Sequence, residues 1–99
     1  MITCCLRYLI DPYKLHEFET YARLWIPLVE RFGGTHHGYF LPHEGANNVA
    51  VALFSFPSLA AYEQYRERLA KDGDNVESVR GAQESGCILV EDRTFLQRV

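Results

Sequence analysis

The sequence predicts an α+β fold, a four-stranded antiparallel sheet with its helices on one face. Three observations carry this. Apolar spacing switches between strand-like and helix-like periods in the order βαββαβ. The segment lengths match, since a helix of about 20 residues spans about 30 Å and a strand of about eight spans about 27 Å. Right-handed crossovers then place both helices on the same side of the sheet. The arrangement is the split βαβ, or ferredoxin-like, topology, and 99 residues are expected to form a single domain over 1–99.

Residues 2–10 (ITCCLRYLI) predict the first strand, rich in β-branched, aromatic and aliphatic types. Asp11-Pro12 predicts a helix start, with Asp as cap and Pro in the first turn, and the helix is expected over residues 12–32. Leu15, Phe18, Ala22, Trp25, Val29 and Phe32 recur along one face, with Tyr21, Leu24 and Leu28 as a second stripe beside it. Pro27 lacks a backbone donor and predicts an irregular last turn, and Gly33-Gly34 ends the helix. Residues 35–42 predict a second strand, and the polar turn HEGANN leads to a third over 49–56 (VAVALFSF). Ser58 caps a second helix, whose buried stripe is Leu59, Tyr62, Tyr65 or Arg66, and Leu69. Asp72-Gly73 breaks it. Asp74 and Glu77 then form a capping-box pattern that opens a short helix to about residue 83. Residues 87–91 (CILVE) predict the last strand, with an irregular tail through Phe95 and Leu96.

A sheet with one wet face alternates apolar and polar residues along each strand. The third strand does not: Ala50, Ala52 and Phe54 stand opposite Val49, Val51 and Leu53. A monomer exposing that much apolar sheet would aggregate. The sequence therefore predicts a homodimer, two sheets packed face to face into a dimeric α+β barrel, with Ala50, Ala52 and Phe54 as the expected dimer face.

Composition narrows the function classes. The chain is 47% hydrophobic and 23% charged, with a formal net charge of −3, which argues against a nucleic-acid partner needing a basic face. No apolar run approaches the roughly 20 residues of a membrane span, and no basic region precedes an apolar one at the N-terminus. Three cysteines, two of them adjacent on one strand, fit reduced apolar residues rather than a disulfide framework. These features together predict a cytoplasmic protein.

Short motifs add a resemblance. Residues 2–18 (ITCCLRYLIDPYKLHEF) resemble the start of the NIPSNAP family, a strand with a Leu-Arg-Tyr element followed by a Pro-Gly-Lys-Leu-like helix start. Tyr13 stands where the family usually has Gly. Residues 26–34 (IPLVERFGG) with Gly38-Tyr39-Phe40 are similar to its second block, and Asn47-Asn48-Val49 with Ser58-Leu59 and Arg66 to its third. The likeness covers nearly the whole chain through mostly structural motifs. It implies a dimeric α+β barrel similar to small cofactor-independent monooxygenases and haem-degrading enzymes, and for bacterial members no established reaction. It also implies a ligand space between the sheet and the helices of one subunit.

The residues expected to line such a pocket are Arg7 or Tyr8 from the first strand, Trp25, His37 and Tyr39, and Tyr62 or Tyr65. Arg7 and Tyr8 point to opposite faces, so only one of them can contribute. Arg7 in the pocket would grip a carboxylate or enolate; the alternative is a structural ion pair with Glu91 or Asp92. His36 and His37 diverge on a strand and cannot share a metal, and no ligand set for one is expected. The 13% aromatic content suits either a flat ligand or plain core packing. No phosphate loop, catalytic triad or CxxC occurs, so no cofactor is predicted. Three functions compete: a dimer binding a small apolar or aromatic molecule or a protein partner, a cofactor-independent monooxygenase, and a structural barrel without a cavity. The haem-degrading pattern, Asn on the first strand with His and Trp on the second helix, is missing.

Overall fold

The computed structural model describes residues 1–99, with the side chains of Asp74 and Ser78 outside the description. The chain runs β1 (Ile2–Ile10), α1 (Leu15–Arg31), β2 (Thr35–Phe40), β3 (Val49–Phe56), α2 (Leu59–Leu69), α3 (Gly73–Ser85) and β4 (Ile88–Gln97). The four strands form one antiparallel sheet in the order β2-β3-β1-β4. Among the described residues no helix is long and apolar enough to cross a membrane.

Local chemistry sets the boundaries. Asp11 does not cap α1. Its carboxylate accepts from the Tyr13 backbone N–H at 2.9 Å in an Asx turn, so the helix begins three residues later than Pro12 suggests. Pro27 sits inside the helix, which continues to Arg31. The Ser58 hydroxyl accepts from Ala61 N–H at 3.1 Å and caps α2 as expected. The expected Asp74 cap lies outside the described side chains; Asp72 Oδ1 accepts from Asn75 N–H at 3.3 Å at the start of α3. β2 stops at Phe40, two residues early, and β4 runs on to Gln97 as a ten-residue strand because it pairs with β1 along its length.

The buried residues of β1 are Cys4, Leu6, Tyr8 and Ile10, and those of β3 include Ala50, Ala52, Phe54 and Phe56. All of them pack in one cluster with Phe18, Leu28 and Val29 of α1 and with Tyr62, Tyr65 and Leu69 of α2. This corrects the expected dimer face: Ala50, Ala52 and Phe54 lie under the helices of the same chain at 1%, 0% and 4% exposure. Cross-strand pairing explains why they belong there. Ala50 faces Tyr8, and Ala52 faces both Leu6 and Tyr39, so small side chains make room for large ones. The other face carries Thr3, Cys5, Arg7 and Leu9 with their partners Ser55, Leu53, Val51 and Val49. The shortest dimension of the molecule is 18 Å, room for one helix layer on one sheet, so that second face is bare.

Candidate functional site

β2 contains a bulge that decides which histidine faces the helices. His36 pairs with Phe54 and Gly38 with Leu53, leaving His37 as the extra residue. Gly38 absorbs the distortion with φ of +119°, a region that suits glycine. Beyond the bulge the parity is reversed, so His36 and Tyr39 share the helix face. Their rings stack at 5.0 Å, and His36 also stacks on Phe54 at 5.6 Å. His37 turns to the bare face, where its Nε2 meets Ser55 Oγ at 2.7 Å, and Ser55 Oγ meets Thr3 Oγ1 at 2.8 Å.

Between the sheet and the helices lies a cavity of about 250 Å³. Leu6 and Tyr8 of β1, Tyr21, Trp25 and Val29 of α1, Tyr39 of β2 and Phe54 of β3 wall its inner part. Tyr62, Tyr65, Arg66 and Leu69 of α2, Asn75 and Val79 of α3, and Glu91 and Arg93 of β4 complete it. The spacing Tyr62, Tyr65, Arg66, Leu69 is one helix face, which is why α2 delivers aromatics and an arginine together. In β4 the alternation that puts Glu91, Arg93 and Phe95 opposite Tyr8, Leu6 and Cys4 turns all three toward the helices.

The expected pocket residues divide accordingly. Tyr8, Trp25, Tyr39, Tyr62 and Tyr65 line the cavity, whereas Arg7 and His37 do not. Arg7 is exposed on the bare face, cross-strand from Asp92, because Tyr8 takes the inward position next to it. His37 is lost through the bulge, which breaks the simple alternation that pairs it with Tyr39. Sequence reasoning missed Tyr21, Arg66, Asn75, Glu91 and Arg93 as lining residues. Tyr21 was legible in the second stripe of α1. Glu91 and Arg93 required the full length of β4.

The inner end of the cavity is aromatic and short of hydrogen bonds. Tyr8 is fully buried, with its ring edge-on to Phe18 at 5.0 Å and stacked with Tyr39 at 6.3 Å. Its hydroxyl lies close enough to those of Tyr39 and Tyr21 to share weak hydrogen bonds with them, yet none has ordinary geometry. Trp25 Nε1 is likewise buried and unsatisfied. Burial pushes the phenols of Tyr8, Tyr21, Tyr39 and Tyr65 well above their ordinary range, so all four stay protonated at neutral pH. His36 Nδ1 accepts from Gly38 N–H at 2.9 Å, which assigns the remaining proton to Nε2. Burial lowers that imidazole to about 4.

The mouth is charged. Arg93 donates to Tyr62 Oη at 2.8 Å and pairs with Glu91 at 3.0 Å. Arg66 is exposed, and among the described residues no carboxylate lies within ion-pair distance of it. Among the described residues no cluster of three His, Cys, Asp or Glu side chains is placed to hold a metal ion.

Comparison with known proteins agrees with this architecture. Protein Atu4242 from Agrobacterium tumefaciens superposes with a TM-score of 0.87 at 19% identity, covering 100% of this chain and 94% of that one. An uncharacterised NIPSNAP domain protein from Burkholderia xenovorans gives 0.82 at 18% identity, covering 100% and 95%. A putative antibiotic biosynthesis monooxygenase from Nitrosomonas europaea gives 0.78 at 8% identity, covering 100% and 99%, a likeness of fold alone. No curated protein matches the chain. The NIPSNAP family model matches residues 5–99, almost the whole domain with the cavity and every strand of the sheet, and the chain belongs to that family.

Proposed function

We propose that the protein is a cytoplasmic homodimer, joined through the bare sheet face, in which each subunit binds one small aromatic molecule in its cavity. One observation carries the binding half: an aromatic-walled cavity of about 250 Å³ whose buried Tyr8 Oη and Trp25 Nε1 have no hydrogen bond of ordinary geometry. Buried polar groups are normally hydrogen-bonded, and a pocket with a few convergent donors is the usual form of a ligand site. The apolar bare face supports the dimer. Phe40, Val90 and Leu96 are 54%, 45% and 49% exposed there, beside half-buried Val49, Val51 and Leu53. A symmetric pair of such faces would bury them.

A second reading, a cofactor-independent monooxygenase acting on an aromatic substrate, is favoured by the fold shared with the Nitrosomonas europaea protein. Abstracting a proton from a bound ring needs a base. The cavity phenols are held protonated, and Glu91, the carboxylate of the lining, is paired with Arg93. Binding is therefore the stronger reading.

The test combines sedimentation with thermal denaturation of the full chain in the presence of haemin and small neutral aromatics such as indole and naphthalene. A ligand at a hundredfold excess over its dissociation constant should stabilise the fold by about 2.7 kcal/mol. A homodimer is expected, with Leu53→Asp giving a folded monomer, because it buries a charge at the interface alone. A monomer at high concentration refutes the dimer, and an unmoved melting temperature with every ligand refutes the binding site. Oxygen consumption with a bound aromatic would favour the monooxygenase.

A further inference from the structure

The cavity is polarised, and that narrows what it accepts. At the closed end sit two buried donors without an acceptor at ordinary geometry, the hydroxyl of Tyr8, beside those of Tyr39 and Tyr21, and the indole N–H of Trp25. At the mouth sit Arg66, Glu91 and Arg93. The Glu91 carboxylate is taken by Arg93, whose guanidinium also donates to Tyr62 Oη at 2.8 Å. Arg66 has no such carboxylate, so the mouth carries one uncompensated positive charge among the described residues. Arg66 and Arg93 both line the cavity, from α2 and β4. An engineered apolar cavity of about 150 Å³ accepts benzene, so about 250 Å³ suits one or two rings and excludes a large polycycle.

Resting on the binding function proposed above, we infer that the ligand is a one- or two-ring aromatic acid with two polar ends. A carbonyl or similar acceptor oxygen enters first and takes hydrogen bonds from Tyr8 Oη and Trp25 Nε1. The ring packs among Tyr39, Phe54 and Tyr65, and the carboxylate stays at the mouth on Arg66. Arginine suits that role because its planar guanidinium grips a carboxylate through two parallel hydrogen bonds. A neutral hydrocarbon of the same size would leave both inner donors unsatisfied and Arg66 unused.

Three bicyclic probes separate these contributions in calorimetric titrations of the protein: naphthalene, with neither group; chromone, with a ring carbonyl; and chromone-2-carboxylate, with both. Chromone is expected to bind about tenfold more tightly than naphthalene, and chromone-2-carboxylate about tenfold more tightly than chromone. Arg66→Gln, an exposed substitution, should erase the second difference. Tyr8→Phe, which keeps the ring, should reduce the first. Equal affinity for the three probes, or an unchanged affinity of Arg66→Gln for chromone-2-carboxylate, overturns the aromatic-acid assignment while the cavity remains a binding site. Failure of all three probes to bind overturns the binding function as well.

Discussion

Replacing Tyr8 with phenylalanine should make the protein more stable. Tyr8 is fully buried, its ring contacts with Phe18, Tyr21 and Tyr39 lie at 5.0, 6.5 and 6.3 Å, and phenylalanine preserves all three. What the substitution removes is a hydroxyl that makes no hydrogen bond of ordinary geometry, only weak contacts with the Tyr39 and Tyr21 hydroxyls. Leaving such a group buried costs about 1–3 kcal/mol, and the lower end applies because the hydroxyl borders a cavity. A gain of about 1 kcal/mol corresponds to a rise of about 4–8 °C in Tm for a domain of this length. The assay is urea denaturation at one fixed protein concentration, since the apparent stability of the proposed dimer would depend on concentration. The midpoint should rise with an unchanged slope. A lower midpoint would refute the reasoning, because it would mean that Tyr39, Tyr21 or a held water satisfies the hydroxyl. The same variant should bind carbonyl-bearing aromatics less tightly, so that the group costing the fold stability is the one serving the ligand.

Two further predictions concern β2. His36 is held at about 4, below its ordinary 6.5, mainly by burial, so the unfolded chain takes up a proton that the fold refuses. Its contribution is complete above pH 6.5 and is lost as pH falls toward about 4; His36→Phe, which keeps the stacking on Tyr39 and Phe54, should flatten the change in urea midpoint between pH 7 and pH 5, and an unaltered slope would exclude His36 as its source. Gly38→Ala places a side chain at φ +119° and should cost of order 1–3 kcal/mol in urea denaturation. A cost under about 0.5 kcal/mol would show that the bulge does not depend on glycine.

Much of the architecture was legible because its signals are local. The apolar stripe of α1, the Ser58 cap and the run over Val49–Phe56 each identify an element without reference to the rest of the chain. Local signals failed where two devices competed for one segment. Asp11 offered a cap but made an Asx turn, and His37 and Tyr39 looked like a same-face pair until the bulge intervened. The candidate site was legible in its aromatic walls, since Tyr8, Trp25, Tyr39, Tyr62 and Tyr65 all stand at inward positions. Its charged mouth was not, because Arg93 and Glu91 arrive from the far end of the chain.

By itself, the sequence determined the order of the elements, the helical stripes and a third strand apolar on both parities. Tertiary structure alone decided which parity of β1 and β3 meets the helices. A strand apolar on both sides reads the same in either orientation, and a period of two carries no label for inside and outside. The choice came from volume: Ala50 and Ala52 fit beneath helices that Tyr8, Leu6 and Tyr39 already crowd, and the room they leave adjoins the cavity. Bringing Arg66 and Arg93 to its mouth likewise needed α2 and β4 packed on the same side of one sheet, a relation that no local pattern encodes.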